Sequence, residues 1–129
     1  MSRILAVLLA VVLCGNGLAM LFAGWWWYNT VPGVIATGAY NPHFVRDIGA
    51  AYLVAGLGAA WFVWRPAQGW PPLVAGALFL VIHAGIHVFD ASCSKSPLAD
   101  VARDFGGVYL LALAAAGLAL VNRLAYKET

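Results

Sequence analysis

Residues 41–56 read NPHFVRDIGAAYLVAG, and the conflict between the two halves of this stretch decides the fold. The second half is small and apolar, as a helix in a lipid bilayer should be. The first half places His43, Arg46 and Asp47 within five residues. Asn41 and Pro42 supply a capping side chain and a first-turn proline, so a helix begins here. The apolar register then runs unbroken to Trp64, and Arg65-Pro66 ends it. Phe44 to Trp64 is close to the ~20 residues that cross ~30 Å of hydrocarbon at 1.5 Å each. The polar start is therefore the mouth of a span.

Three further runs have that length: Ile4 to Phe22, Leu73 to Phe89 and Val101 to Val121. The chain of 129 residues is 64% hydrophobic and 9% charged, against roughly 25% charged in an ordinary soluble domain. An all-α, four-helix transmembrane bundle is the expected fold, with residues 1–129 forming one domain and the lipid bilayer as its first partner. A net charge of +2, scattered along the chain, speaks against nucleic acid as a partner. The first run is too long for the core of a secretory signal, and no small-x-small cleavage site follows it. It is read as a retained span.

Four spans put both termini and the 65–72 turn on one side. That side holds Arg3, Arg65, Arg123 and Lys127, against Arg46, Lys95 and Arg103 on the other. The positive-inside rule then makes the termini cytoplasmic. In a bacterial inner membrane the polar start of helix 2 faces the periplasm. The turn PAQGWPP leads into helix 3, and Ser96-Pro97 repeats the cap-and-proline device for helix 4. The long connection 24–42 carries Trp25, Trp26, Trp27, Tyr28 and Tyr40, rings that favour the headgroup region. It is expected along the outer interface with a short helix after Thr30, either as an anchor or as a lid.

The remaining polar residues of the spans fall at similar depth. Helix 3 brings His83, His87 and Asp90 onto one face, within about 60°. His43 and Asp47 stand about 40° apart on theirs. Asn16 of helix 1 and Asp100, Arg103 and Asp104 of helix 4 lie in the same outer half. Ionisable groups in a membrane are costly and normally face the bundle interior, paired with one another. They are expected to share one outward-facing pocket. Three imidazoles and two carboxylates (His43, His83, His87, Asp47 and Asp90) form a mixed nitrogen and oxygen set suited to zinc, iron or copper. Asn16, Arg46, Arg103 and Asp104 would orient those ligands and balance charge. The pair HAGIH has the spacing of two ligands on a helix face, without the glutamate of HExxH hydrolases.

A metal-dependent enzyme and a metal-handling protein both fit this pocket, and whether the chain is an enzyme stays open. A haem held by two histidines suits the clustering at one end less well. The inner halves offer no polar steps for a proton relay. The contrasting reading is a non-catalytic accessory subunit of a larger membrane complex or a homo-oligomer. In that case the same residues form a hydrogen-bond and salt-bridge network that fixes helix register.

The segments NGLAML (16–21), WYNTVPGVIATGAYNPHFVRDIG (27–49) and HAGIHVFD (83–90) resemble those of small bacterial four-helix membrane proteins related to the DoxX-like group. The resemblance covers about residues 16–107 and implies a four-helix inner-membrane fold. It carries no catalytic assignment for any residue. The thiosulfate:quinone oxidoreductase association of some DoxX-type proteins implies no more than a redox or quinone context.

Overall fold

The computed structural model describes residues 2–126, and among them there is helix and no strand. In chain order the α-helices are α1 (Ser2–Phe22), α2 (Gly24–Thr30), α3 (Pro42–Trp64), α4 (Pro66–Ser92), α5 (Pro97–Asp104) and α6 (Leu110–Tyr126). A five-residue π-helical turn, Phe105–Tyr109, joins α5 to α6 without a break. Four stretches are long and apolar enough to cross a membrane: Arg3–Phe22, Pro42–Trp64, Pro66–Ser92 and Pro97–Asn122. α1 packs on α3, α3 on α4 and α4 on α6, while α1 and α6 touch more lightly.

One expected boundary moves. The PAQGWPP stretch is not a turn, because α4 already starts at Pro66 and carries Pro71 and Pro72 within it. Arg65 alone separates α3 from α4. The fourth span opens at Pro97, where the Ser96-Pro97 signal placed it. Asn41 caps α3 as expected, its side chain accepting from the His43 and Phe44 amides at 3.1 Å each. Ser96 makes no such bond to α5. The 24–42 connection has a short 3-10 helix after Thr30, at Val34–Thr37, and an unexpected α-helix before it, Gly24–Thr30. The segment is braced by the Tyr28 hydroxyl donating to the Gly38 carbonyl at 2.6 Å and by Trp25 edge-on to Tyr40. Lys127, counted among the basic residues of the terminal side, lies outside the described residues.

Only 22–39% of each apolar window is buried within the bundle. Large side chains such as Leu8, Val11, Val54, Leu78, Leu113 and Leu120 stay exposed. So much exposed apolar surface would drive association in water, and hydrocarbon is its natural solvent. With no hydrophobic drive between helices, close backbone approach must hold the bundle. The α1–α3 seam shows it. A Cβ on Gly17 would stand 2.7 Å from both the Gly49 carbonyl oxygen and the Leu53 nitrogen, and one on Gly49 would stand 2.7 Å from Met20 Cβ. Along α3 and α4, Gly58 lies against Pro72 and Gly76 against Ala55. Counting outward from those contacts puts Asp47 level with His83, and His43 level with His87.

Gly17→Ala should lower the thermal midpoint in detergent by the equivalent of about 1–3 kcal/mol, since rigid backbone faces the new methyl on two sides. Gly15 has nothing within 4 Å of its missing Cβ, so Gly15→Ala should be neutral or slightly stabilising. A melt monitored by circular dichroism separates them. Equal behaviour of the two variants would disprove the tight α1–α3 seam.

Candidate functional site

The polar end of the bundle, where α3 and α5 begin and α4 ends, is organised around one carboxylate. Asp104 is the one buried charged side chain among the described residues. It accepts from Arg103 Nε on Oδ1 at 2.7 Å and from an Arg103 terminal nitrogen on Oδ2 at 3.0 Å. His87 Nδ1 lies 2.8 Å from the same Oδ2. The other terminal nitrogen of Arg103 donates to Asp100. A bidentate guanidinium keeps a carboxylate ionised, and an ionised carboxylate only accepts hydrogen bonds. His87 Nδ1 must therefore carry the proton. In the neutral imidazole, Nε2 is left as a free acceptor.

The backbone makes this pairing possible. Adjacent residues on a regular α-helix point in different directions, yet Arg103 and Asp104 grip each other. Asp104 sits at φ −85°, ψ −6°, where α5 gives way to the π turn, which closes through the Leu110 amide donating to the Phe105 carbonyl. Local widening of this kind recurs at functional positions. Here it follows directly on Asp104, whose carboxylate meets His87 of α4.

One turn deeper on α4, the His83 ring packs among aromatics. Its centroid is 4.8 Å from that of His87, 5.7 Å from Tyr52 and 5.9 Å from Phe79, on which it stacks. Tyr52 is 5% exposed. Neither its hydroxyl nor either His83 nitrogen has a hydrogen-bond partner among the described residues. The Tyr109 hydroxyl, at the end of the π turn, is buried and likewise unpartnered. From the other side the 24–42 connection reaches the cluster at Gly33. A Cβ there would meet Arg103 Nε at 2.5 Å and Cζ at 2.8 Å, and φ is +86°. Glycine is demanded twice at this position, by the backbone angle and by the guanidinium beneath it.

The sequence-predicted set divides. His83 and His87 come together, and Asp104 and Arg103 stand behind His87 as orienting groups. His43 and Asp47 pair with each other at 3.4 Å, with side chains 87% and 59% exposed. Asp90 and Arg46 are exposed, without a side-chain partner among the described residues. Asn16 accepts from Trp27 Nε1 at 2.8 Å, tying α1 to α2. Among the described residues no three His, Cys, Asp or Glu side chains are placed to hold a metal ion. The five-residue ligand set is therefore not assembled. The reason is rotational, since equal depth does not make side chains on the α3 rim turn inward when solvent or headgroups can hold them. Arg103 pairs with Asp100 and Asp104 within its own helix, and the contact across to α4 is His87 to Asp104. Tyr52, Tyr109 and Gly33 were not singled out as site groups from sequence. Only the φ-permissive PG of VPGV hinted at Gly33.

Compared with protein-family models, with curated proteins and with solved structures, the chain matches none.

If Gly33 is seated on the Arg103–Asp104 pair, the two sites are energetically coupled. Gly33→Ala and Asp104→Asn should each destabilise by about 1–3 kcal/mol. The double variant should lose less than the total of the two, by at least about 0.5 kcal/mol. Thermal melts of the four proteins in one detergent measure it. Strict additivity would mean that the connection and the cluster are independent.

Proposed function

We propose that this chain is a multi-pass protein of the bacterial inner membrane whose working centre is the His83–His87 pair. It opens at the periplasmic end and acts on a small, membrane-soluble molecule as hydrogen-bond acceptor and base. The observation that carries this is the 2.8 Å contact from His87 Nδ1 to Asp104. It fixes the tautomer, leaves Nε2 as the free lone pair, and places a negative group behind the ring to stabilise the imidazolium formed if a proton is taken. The unpartnered Tyr52 hydroxyl and His83 ring supply donors beside that acceptor. The excess of basic residues on the terminal side supports cytoplasmic termini. The resemblance to DoxX-like proteins agrees with an inner-membrane setting.

A transition metal is the second reading, favoured by the same tautomer. An imidazole backed by a carboxylate is a usual arrangement for a ligand to zinc, copper or iron. His83 and His87 would be its only protein ligands, and water or a bound molecule would complete the coordination. His43, Asp47 and Asp90 have no part in it. The accessory-subunit reading, with the cluster as a structural network, rests on the saturation of Asp104 by its neighbours.

Histidine-selective 15N NMR on the purified protein at pH 8 should show His87 protonated at Nδ1 and bare at Nε2. His83→Ala and His87→Ala should keep the helical signal and cost no more than about 1 kcal/mol, one ordinary hydrogen bond. A His87 protonated at Nε2, or a bundle that unfolds in both variants, would defeat the proposal in favour of the structural network. Stoichiometric zinc, iron or copper in protein purified without chelator, lost in His83→Ala and His87→Ala, would promote the metal reading instead.

A further inference from the structure

Between the polar end and the 65–72 end, the α3–α4 interface opens outward as a groove of about 560 Å³. Every side chain lining it is apolar, and most are small. Its base is closed by backbone contact, Gly58 against Pro72 and Gly76 against Ala55. Val54, Leu57 and Trp61 stand exposed along the α3 wall. No side chain here offers water a hydrogen-bond partner, so in a bilayer the groove fills with hydrocarbon. From Ala50 to Trp61 it extends about 16 Å along α3, half of a ~30 Å core and thus the depth of one leaflet.

An apolar groove by itself accepts any acyl chain, and the choice among lipids comes from its end. Arg65 is the one residue between α3 and α4, so it stands at the tip of the hairpin whose two helices form the groove. Its amide donates to the Trp61 carbonyl at 2.8 Å, one turn beyond the last groove residue of α3. At 100° per residue its Cα also falls within about 40° of both Val54 and Trp61. The groove face of α3 therefore runs straight on to a cation.

That cation has no acid to neutralise it. Arg65 forms no ion pair among the described residues. The described carboxylates, Asp47, Asp90, Asp100 and Asp104, all belong to the other end of the bundle, while Arg3 adds a second basic residue at this one. The guanidinium lies 4.7 Å over the Trp64 ring, which holds it at the level where indole rings favour headgroups. A planar fork of N–H donors suits a phosphate. Arg65 is about 6 Å beyond Trp61, which leaves room for the glycerol that joins an acyl chain to its phosphate. A zwitterionic headgroup would bring an ammonium to an end that has no carboxylate to receive it. A net negative headgroup brings no such charge.

We infer that the α3–α4 groove holds one acyl chain of an anionic phospholipid whose phosphate is bound by Arg65 at the tip of the hairpin. The site is separate from the His83–His87 centre and does not depend on what that centre binds.

The test uses the full chain in phosphatidylcholine nanodiscs. Trace phosphatidylglycerol or phosphatidylcholine is added, each with the same diazirine in one acyl chain, and labelled positions are mapped by peptide mass spectrometry. Phosphatidylglycerol should label the groove walls of α3 and α4 about fivefold more than phosphatidylcholine, the preference expected from one basic residue at an anionic headgroup. Arg65→Gln should erase that preference while both probes still reach the groove. Ala75→Phe, which fills the groove from its open side, should remove groove labelling by both probes. Arg65 and Ala75 are exposed, so both variants should keep the helical signal and the melting midpoint. Equal labelling by the two probes in the unaltered chain, or a preference that survives Arg65→Gln, would overturn the inference. So would label spread evenly over the outer faces of α1 and α6. A groove closed to every probe in a chain that cross-links as a dimer would give the surface to a second copy instead.

Discussion

One carboxylate holds the polar end of this protein together. Asp104 is buried where charge is expensive, and it is tolerable there because Arg103 covers both of its oxygens and His87 shares one of them. Removing Asp104 leaves His87 Nδ1 with nothing to face, and removing Arg103 leaves a buried charge with only His87 beside it. The consequences spread outward from that constraint. Arg103 is bound in place, so it can also carry Asp100 beneath it and the main chain of Gly33 above it. His87 is bound in place, so its ring orientation and proton position are set before any ligand arrives. An interaction whose first effect is structural thus defines the chemistry open to the imidazole beside it.

Much of the fold is legible in the residue string because lipid leaves a chain few choices. A backbone in hydrocarbon must satisfy itself, so long apolar runs become helices whatever their neighbours do. Asn41-Pro42 states where α3 begins, and the asparagine side chain makes both expected bonds. The error at PAQGWPP has a plain cause. Proline and polar residues are tolerated within the first turns of a helix, so they mark a helix end only loosely. Ser96 stands in the place of a cap and makes none of its bonds. Its position in the sequence could not show that.

The site was half legible, and the dividing line is physical. Depth comes from counting residues, and His83, His87, Asp104 and Arg103 do share the polar end. Rotation is harder, because it depends on the backbone between them. An ideal helix through Arg103 and Asp104 would send the two side chains apart. The π turn at Phe105–Tyr109 follows directly on Asp104, whose carboxylate meets His87, and apart from two adjacent glycines, Gly106 and Gly107, nothing in the residue types announces it. His43 and Asp47 stand apart from that cluster for the opposite reason. Their helix is regular and their pairing is the i, i+4 contact that spacing implies. They simply face outward, where water and headgroups hold charged groups more cheaply than a bundle interior does.

The two sides of the α3–α4 pair make the last connection. Contacts such as Gly58 on Pro72 and Gly76 on Ala55 set a register in which each residue of α3 has a counterpart at equal height on α4. Around those contacts the register leaves an apolar groove between Ala50 and Trp61 of α3 and Pro72 and Phe79 of α4. Followed toward Asn41, it pairs Asp47 with the level of His83 and His43 with that of His87. The same interface therefore passes from carbon to ionisable groups within about two helical turns. A soluble protein has no reason to build such a gradient along a helix axis, since its solvent is the same at both ends. A bilayer changes from hydrocarbon to headgroup over about that distance. The exposed rim of α3 then need not be a failed ligand set. It is the exposed side of that gradient, and the half-buried side runs from Phe79 through His83 to His87.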